Sequence, residues 1–393
     1  MRVAIACPGC GDWGSVASVA RKHAKEISKY YDCVVFSDGF LDANLGGAAK
    51  VKVNSRHFNF LRRFCHVPNE IAFAVCVRRH VLSYFGKKPI DVLLCHGHVL
   101  AAIVGSDIRV RHDISCGLVV HGDIFERPKR TYDIALTVLY KWATPIAYKN
   151  SNLVMVLASS MVEGAIRNGA AADLVYVIPN GVDLEDIGLA DSRSWSHGGE
   201  NKRKGFRLLY VGRLAVEKGI DVLIRSCALL RDRNIQFSLD VIGEGRMRPD
   251  LERLVSSFEL EDRIRFLGHY HKSKLGPHYL TADLVCVPSR SDTFPSVVLE
   301  SLAAGTPVLA SNVGGIPSIV KHNWNGLLVP SESPEAVARE ISDLISNEHR
   351  LNIMQQAAIA SVVPKYTWDR IGLRIRDVLE KLPNRSGVVP KLQ

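Results

Sequence analysis

The sequence of 393 residues lacks an apolar run long enough to cross a membrane. A spanning helix needs about 20 apolar residues, whereas the two most apolar windows, 92–105 and 136–148, are shorter and contain His or Lys. The first residues, MRVAIA, carry only a short apolar run, and the apolar stretch of a secretory signal extends over about 7–15 residues. We therefore expect a cytoplasmic protein whose first residues form a strand.

A disulfide framework is absent as well. The chain has nine cysteines, an odd number, and most lie in apolar runs, which is typical of free thiols in a reducing compartment. Its 30 Gly and 17 Pro follow no period, which excludes collagen-like structure. With 47% hydrophobic residues the chain is not mainly disordered. Its length predicts two or three domains of about 150 residues.

The charge balance favours anionic partners. Lys and Arg number 50 against 40 Asp and Glu, which gives a net charge of +10. Because these cations are spread along the chain, we expect no nucleic-acid partner. The run 56–64 (RHFNFLRRF), with 127–130 (RPKR) further on, interleaves cations and aromatic rings. Such runs suit an anionic membrane surface or an anionic acceptor, and a solvated loop with core-packed rings fits equally well.

Short apolar strands alternate with amphipathic helices in both halves of the chain. The predicted strands are 3–6, 34–36, 92–95, 117–120, 153–156, 175–178, 207–211, 237–242, 264–267, 284–287 and 308–310. This alternation is typical of parallel sheets covered on both faces. It predicts an α/β protein with two doubly wound, Rossmann-like domains, 1–187 and 206–364, joined by a linker at 188–205. A last helix within 365–382 is expected to pack back on the first domain.

Two cations follow a strand of the second half. Residues 212–219 (GRLAVEKG) place Gly212, Arg213 and Lys218 between that strand and a helix. Guanidinium, ammonium and helix amides suit a phosphate or diphosphate there, although a solvated loop is favoured when the segment is taken alone. Gly243 and Gly245 follow the next strand, where glycine lets a ligand approach the backbone or simply serves the turn.

The densest cluster of polar residues is 288–300 (PSRSDTFPSVVLE). A helix is expected to begin near Pro295, so that amides around Thr293 and Phe294 face a ligand. Glu300 lies within an apolar run and needs a partner, because burying an unpaired carboxylate is costly. That partner is either an arginine of the same domain or the hydroxyl groups of a bound sugar.

The first half offers weaker signals. His121 ends a strand and either contacts a substrate or, more often for such a residue, is structural. The motif HGH at 96–98 hints at metal, but a third ligand is missing nearby, so no metal site is expected. CPGC at 7–10 is similar to a redox motif, yet the loop continues through Gly11 and Gly14, which favours a glycine-rich loop.

Taken in order, these segments resemble one family over nearly the whole chain, the retaining glycosyltransferase family four (glycosyl transferases group 1), which has the GT-B fold. The motifs are 177–183 (VIPNGVD), 212–219, 243–245 (GEG), 288–289 (PS), 294–295 (FP), 299–308 (LESLAAGTPV), 313–317 (VGGIP) and 325–329 (NGLLV). The resemblance implies two Rossmann-like domains facing across a cleft. It also implies transfer of a hexose from a nucleotide-sugar to a hydroxyl acceptor.

The resemblance also implies roles for individual residues. Arg213 and Lys218 would hold the diphosphate of a UDP- or GDP-linked sugar, and Glu300 would bind the ribose. Gly212, Gly243, Gly245 and the amides near Thr293, Phe294 and Pro295 would complete the donor site. His121 would lie beside the donor sugar, with Gly11 and Gly14 on the acceptor side.

The implied reaction retains the anomeric configuration and needs no metal or other cofactor. The acceptor attacks on the face of the leaving group, and the departing diphosphate takes its proton. Saccharide or lipid-linked acceptors in the assembly of cell-surface polysaccharide or lipid-linked oligosaccharide are the expected setting, with peripheral contact to the inner face of the membrane.

Two features depart from the family pattern. Asp292 replaces the first glutamate of the acidic pair whose second member is Glu300, and the adjacent glycines of the first loop are separated as Gly11 and Gly14. The alternatives are an epimerase or inverting transferase of the same fold, and a non-catalytic protein that binds sugar nucleotides or anionic polymers. A nicotinamide dehydrogenase is disfavoured, because G-x-G-x-x-G does not directly follow the first strand.

Overall fold

A computed structural model of the chain describes residues 1–8, 15–38, 44–53, 67–122, 133–189 and 205–382. The chain divides into two compact units, one formed by Met1–Asn180 with Trp368–Gln393 and the other by Gly181–Thr367. Most of the expected linker, residues 190–204, lies outside the described ranges. Leu189, at its beginning, is buried within the second unit.

Each unit contains one parallel sheet. The first sheet has seven strands in the order β3-β2-β1-β4-β5-β6-β7 and the second has six in the order β10-β9-β8-β11-β12-β13. The strands are β1 Arg2–Ala6, β2 Asp32–Ser37, β3 Ala49–Lys52, β4 Val92–His96, β5 Ser115–Val119, β6 Leu153–Val156, β7 Val175–Val177, β8 Phe206–Val211, β9 Phe237–Ile242, β10 Ile264–Gly268, β11 Leu284–Val287, β12 Val308–Ser311 and β13 Gly326–Val329. The predicted α/β class with two doubly wound sheets is confirmed.

Helices connect most of the successive strands, as is usual for parallel pairing. They are α1 Ser15–Ile27, α2 Val67–Phe85, α3 His98–Leu100, α4 Ser106–His112, α5 Asp133–Lys149, α6 Val162–Arg167, α7 Ile220–Asp232, α8 Arg248–Ser257, α9 Gly276–Thr281, α10 Ser296–Ala303, α11 Ile316–Ile319, α12 Pro334–Ile345, α13 Glu348–Tyr366 and α14 Trp368–Leu379. A π-helical turn, Ala101–Gly105, joins α3 to α4.

The core of the first unit has two layers, one on each face of its sheet. Residues of α2, α5 and the π-helical turn pack on one face, where Phe73, Val77 and Ala143 are buried. On the other face, α1 packs together with α14, the last helix of the chain. Alternate side chains of β1 and β4 enter the two layers, so these strands are buried on both faces.

The contact between α1 and α14 brings the end of the chain back to its beginning. A Cβ on Gly372 of α14 would lie 2.8 Å from Oε2 of Glu26 in α1, so the two helices approach closely at this glycine. Lys29 Nζ bridges Glu26 Oε2 at 2.6 Å and Asp369 Oδ1 at 2.5 Å. The last helix is therefore an integral layer of the first unit.

Several parts of the fold have no counterpart among the predicted elements, including β3, β13, α9, α11 and the helices over 98–112 and 348–366. β3 is short and largely exposed at the edge of its sheet, so it lacks the apolar pattern of a buried strand. The stretch 98–112 forms α3, the π-helical turn and α4 after the strand. α13 covers residues that follow the second alternation, and Pro364 lies near its end.

Candidate active site

Two loops at the carboxyl ends of β8 and β9 are held against each other by their backbones. The amide of Gly212 donates to the carbonyl of Ile242 over 3.0 Å, and the amide of Leu214 donates to Glu244 over 3.0 Å. Gly243 has a φ of +140°, and a Cβ there would lie 1.8 Å from the Gly212 carbonyl oxygen. A Cβ on Gly245 would meet the Leu214 carbonyl oxygen at 2.2 Å. These glycines are required for close packing of the loops.

Lys218 and Asp292 form a short ion pair in this region. Lys218 ends a 3-10 turn just before α7, and its Nζ lies 2.5 Å from Oδ2 of Asp292. The Asp292 side chain is 11% exposed and that of Lys218 is 23% exposed, so water screens the pair only in part. Ser289 Oγ donates to the same carboxylate oxygen over 3.4 Å.

Arg290 ties the loop after β8 to the loop after β11. Its guanidinium donates two hydrogen bonds of 2.8 Å to the carboxylate of Asp221 in the first turn of α7. Its backbone amide donates to the carbonyl of Glu217, and Nε donates to Glu332. Burial alone would raise the pKa of Asp221, but the Arg290 hydrogen bonds and charge outweigh it and lower that pKa. Both loops are thereby fixed around Lys218.

Arg213 presents its side chain outward. The guanidinium is 72% exposed and lies 3.1 Å from Oε1 of Glu217, four residues on. Its backbone is anchored, because the buried Tyr210 hydroxyl donates to the Arg213 carbonyl over 2.8 Å. Loop and cation are thus positioned independently: the peptide is fixed, while the guanidinium remains available to an anion.

The backbone of Asp292 is also held in place by a glycine turn that follows β12. The amide of Gly315 donates to the Asp292 carbonyl over 3.2 Å. Gly314 has a φ of +55°, and a Cβ there would lie only 1.9 Å from the Asp292 carbonyl oxygen. The motif VGGIP, noted in the sequence without a physical role, thus supports the backbone that carries the Asp292 carboxylate.

The segment 293–295 leads from this pair into α10. That helix begins at Ser296, one residue later than expected, with Pro295 as its N-cap residue. Within the described chain, its first turn has no acidic residue and no side-chain cap, so the positive end of the helix dipole is left for an anion. Phe294 is buried, with its ring centroid 6.0 Å from that of Tyr366, and Thr293 is half-buried.

Glu300 lies inside α10 with 4% of its surface exposed. The expectation of an arginine partner is wrong: Oε2 accepts a 2.8 Å hydrogen bond from the Tyr279 hydroxyl, and Oε1 lies 2.9 Å from Nζ of Lys272. Burial alone would lower the pKa of Lys272, but Glu300, with Asp186 and Asp183, raises it. The carboxylate is paired on both oxygens and held rigidly.

In the first unit, His121 is joined to two other histidines. His121 follows β5 and is half-buried, and its Nε2 lies 2.8 Å from Nδ1 of His96 at the end of β4. The ring of His23 in α1 lies tilted by 59° against that of His96, with centroids 5.3 Å apart. Burial is the first cause that lowers the pKa of all three, His23 to about 4. These imidazoles are therefore neutral at pH 7.

Several sequence predictions lie outside the described residues, namely Gly11, Gly14, the second cysteine of CPGC, the basic run 56–64 and 127–130. Cys7 is described, buried and free of disulfide bonding. Within the described ranges, no three His, Cys, Asp or Glu side chains are placed to hold a metal. Over the same ranges, helices long and apolar enough to span a bilayer are absent.

The contacts that four residues make within their own units were not predicted from the sequence: those of Lys272, Tyr279, Arg290 and His96. Lys272 and Tyr279 precede Glu300 by more than twenty residues, and a strand separates them from it. A single sequence carries no signal for that contact. Arg290 and His96 both lie within motifs that were noted, 288–300 and HGH at 96–98, but their partners, Asp221 and His121, come from other parts of the fold.

Two family models match the chain in succession. Residues 16–186 match Glycosyltransferase Family 4, and residues 192–361 match Glycosyl transferases group 1. Together they cover every strand of the two sheets except β1, and they meet close to the division between the two compact units.

Curated relatives are glycosyltransferases of several descriptions. An uncharacterized glycosyltransferase of Methanocaldococcus jannaschii is 29% identical over 74% of this chain and 75% of its own length. A GDP-mannose-dependent alpha-(1-6)-phosphatidylinositol monomannoside mannosyltransferase of Mycobacterium tuberculosis is 30% identical over 54% of this chain and 57% of its own. A D-inositol 3-phosphate glycosyltransferase of Salinispora tropica is 34% identical over 45% and 38%. The matches to these two bacterial relatives thus span about half of their length or less.

Solved structures share the fold along almost the entire chain. HepE from Anabaena, crystallised with UDP and glucose, superimposes with a TM-score of 0.74 at 19% identity and covers 97% of this chain and all of its own. Sucrose-phosphate synthase from Thermosynechococcus elongatus gives 0.75 at 20% identity, covering 97% and 98%. The expected GT-B fold is confirmed by these neighbours, and with both family models matched the chain belongs to glycosyltransferase family four.

Proposed function

We propose that this protein transfers a hexosyl group from a nucleoside diphosphate-sugar to a hydroxyl acceptor with retention of the anomeric configuration. The observation that carries the proposal is the arrangement in the second unit. A clamped lysine–aspartate pair, Lys218 and Asp292, precedes an uncapped helix N-terminus, and a rigid buried carboxylate, Glu300, lies within that helix. Each of these groups matches one part of a nucleotide-sugar.

The charge balance of the diphosphate explains the roles of the cations. As the glycosidic bond breaks, negative charge grows on the leaving diphosphate, and preorganised donors that meet this charge lower the barrier. Lys218 is partly screened from water and held in place by Asp292. Arg213 is exposed beside it on the same loop. We propose that these two cations provide the neutralisation, and that donor turnover therefore persists in the presence of EDTA.

Glu300 is proposed to accept hydrogen bonds from the ribose hydroxyls. Tyr279 and Lys272 each occupy one lone pair of its two oxygens, and an ionised carboxylate offers about four acceptor sites. Two sites therefore remain for vicinal hydroxyls. Ribose is common to UDP- and GDP-sugars, so this contact selects a nucleotide without choosing the base.

The proposed chemical step has the acceptor hydroxyl attack the anomeric carbon on the face of the departing diphosphate. The acceptor oxygen bonds to that carbon, the bond to the diphosphate oxygen breaks, and the acceptor proton passes to the diphosphate. No protein nucleophile is needed in this step. Proton NMR of the product linkage tests it, because an inverted anomeric configuration would contradict the proposal.

A panel of UDP- and GDP-linked sugars tests the activity itself. A catalyst releases nucleoside diphosphate from its own donor slowly by hydrolysis even without acceptor, whereas a non-catalytic binding protein does not. An epimerase would convert the donor sugar without net transfer. We expect release from one donor and faster release when its saccharide acceptor is added.

We further propose that the first unit contacts an anionic membrane surface, in keeping with saccharide or lipid-linked acceptors. α2 and α5 pack on the same face of their sheet, and each exposes two apolar side chains one turn apart. These are Ile71 with Val75, and Val138 with Trp142; Val138 is 61% exposed. The exposed cations Arg79 and Lys141 lie on the same helices. Apolar and basic side chains together suit a surface of anionic lipid.

Vesicle sedimentation tests this contact. We expect the protein to bind phosphatidylglycerol vesicles more strongly than phosphatidylcholine vesicles, and the variant Trp142→Ser to bind less. Ile353→Ser, which changes an exposed apolar residue of the second unit, is the matched control and should bind as the parent does. Equal binding by the Trp142 and Ile353 variants would refute the proposed surface.

A further inference from the structure

The histidine cluster of the first unit contains a buried residue, His96, that bonds directly to the half-buried His121. His96 is the last residue of β4 and is 1% exposed. The two rings are nearly parallel, with centroids 5.0 Å apart and an interplanar angle of 27°. Nδ1 of His96 lies 2.8 Å from Nε2 of His121. A separation of 2.8 Å between two ring nitrogens is a hydrogen bond with one proton between them.

The direction of this hydrogen bond decides what the other nitrogen of His121 presents. Both rings are neutral, since burial lowers the pKa of each, and a neutral imidazole carries one proton. If His96 donates, His121 carries its proton on Nδ1. If His121 donates, its Nδ1 is a bare acceptor and the proton of His96 lies on Nε2.

The burial of the second ring nitrogen of His96 indicates which direction of the hydrogen bond is favoured. His96 Nε2 is fully buried and has no hydrogen-bond partner. The ring of His23 lies with its centroid 5.3 Å from that of His96, and both nitrogens of His23 are buried and unpartnered as well. A neutral His23 already leaves one buried N–H without an acceptor, and a proton on His96 Nε2 would add a second one at the cost of its desolvation. The proton of His96 is therefore favoured on Nδ1, where it is used in the bond to His121.

The free nitrogen of His121 remains accessible. Within the described part of the chain, the buried unpartnered side-chain atoms are those of His23, His96 Nε2 and Asn180 Oδ1. His121 Nδ1 is not one of them, and the described residues offer it no partner. Among the described residues of the cluster, this nitrogen is therefore neither paired nor fully buried.

We propose that His96 is a positioning residue that holds His121 in the tautomer protonated on Nδ1, so that His121 presents an N–H donor to a hydroxyl oxygen of the donor sugar. The inference rests on the proposed function and on the position beside the donor sugar that the family resemblance implies for His121. Which ring nitrogen of a histidine is protonated is set by the hydrogen bond that the other nitrogen makes. The bond from His96 fixes both the ring plane and the proton of His121.

Two substitutions separate the hydrogen bond from the volume of the ring. His96→Phe keeps a ring but removes the donor, and His96→Asn keeps an amide N–H close to the position of Nδ1. We expect His96→Phe to lower kcat about tenfold, the equivalent of one lost hydrogen bond, and His96→Asn to retain most of kcat. The Kd for the nucleoside diphosphate should stay unchanged in both, because its proposed ligands belong to the second unit.

Nitrogen-15 NMR of the histidine rings provides the test that does not depend on activity. The resonances of His121 are assigned by their loss in His121→Gln. We expect Nδ1 to be protonated in the parent protein and in His96→Asn, and Nε2 to be protonated in a substantial fraction of His96→Phe. Protonation on Nε2 in the parent, or full kcat in a folded His96→Phe, would overturn the inference. If no variant transfers sugar, the proposed function fails and the spectra still decide the tautomer.

Discussion

Lys218 Nζ lies 2.5 Å from Asp292 Oδ2 in a part of the second unit that three loops hold in place. Arg290 fixes the Lys218 loop through Glu217 and Asp221, and Gly314 packs against the Asp292 carbonyl. The aspartate replaces the glutamate of the family pattern, and the shorter side chain still reaches the lysine. The ion pair therefore both orients the cation and balances its charge before any ligand enters.

Replacement of Asp292 by Asn is expected to affect binding and turnover in opposite directions. Without the carboxylate, the full charge of Lys218 faces the diphosphate, so we expect the nucleoside diphosphate to bind a few times more tightly. The lysine loses its anchor, and kcat for transfer should fall at least tenfold. Calorimetry and steady-state kinetics measure the two effects.

The matched control is Asp369→Asn, which removes the aspartate of an exposed ion pair with Lys29 in the first unit. It should leave both quantities unchanged. Weaker nucleotide binding by Asp292→Asn would show that the aspartate contributes to the ligand site in another way than through Lys218.

Lys272 is expected to stabilise the folded second unit by pairing with the buried Glu300. Lys272→Met leaves that carboxylate with one partner, Tyr279, and should lower the free energy of unfolding by about 1–3 kcal/mol. Lys274→Met, in the same turn at an exposed position, should change it by less than about 0.5 kcal/mol. Urea unfolding measures both. The double variant Lys272→Met with Glu300→Gln should recover part of the loss; no recovery would contradict the pairing.

Gly314 is expected to tolerate no side chain. Gly314→Ala adds a Cβ that would lie 1.9 Å from the Asp292 carbonyl oxygen, at a φ of +55°. We expect it to cost about 2 kcal/mol or more of stability and to shift Asp292. Gly164→Ala is the control, because a Cβ there meets no atom within 4 Å; within helix α6 it should be neutral or stabilising. Thermal unfolding that ranks the two variants in the reverse order would contradict this packing argument.

The histidine cluster is expected to make the first unit less stable in mild acid. Burial lowers the pKa of His23 from 6.5 to about 4, so between these values the unfolded chain binds a proton that the folded chain does not. Stability therefore falls as pH decreases through that window, by about 3 kcal/mol for this group, and is fully present above pH 6.5. His96 and His121 act in the same direction.

The variant His23→Leu should lose less of its free energy of unfolding between pH 7 and pH 4 than the parent protein does. Urea unfolding at a series of pH values measures this difference. His349→Leu, at an exposed position of α13, should lose as much as the parent. If the free energy of unfolding of the His23 variant falls with pH as steeply as that of the parent, protonation of this histidine is not coupled to folding.

The fold was largely predictable from the pattern of the sequence, for a physical reason. Strands such as β4 and β11 are buried on both faces, so they appear as continuous apolar runs between amphipathic helices. β3 was not predicted because it is an exposed edge strand with the sequence AKVK, which lacks a continuous apolar run. α14 was recognised as a helix outside the second alternation, and its partner α1 lies some 340 residues earlier, as the Lys29–Asp369 pair shows.

The sequence identified individual residues of the candidate site, but it did not identify the residues that contact them. Lys218, Asp292 and Glu300 were identified from their motifs. Their partners depend on three-dimensional contacts: Lys272 reaches Glu300 from a turn ahead of α9, and Arg290 reaches Asp221 across two loops. Likewise HGH at 96–98 hinted at metal, whereas His96 in fact bonds to His121.

Release of nucleoside diphosphate from the identified donor measures whether Lys218 and Glu300 act on a nucleotide-sugar. We expect Lys218→Ala to lower kcat/KM about 10²- to 10³-fold through lost charge stabilisation, and Glu300→Ala about 10- to 100-fold through lost ribose contacts. Lys274→Ala should match the parent. Unchanged kcat/KM in folded Lys218→Ala and Glu300→Ala would show that these two side chains do not act on the donor.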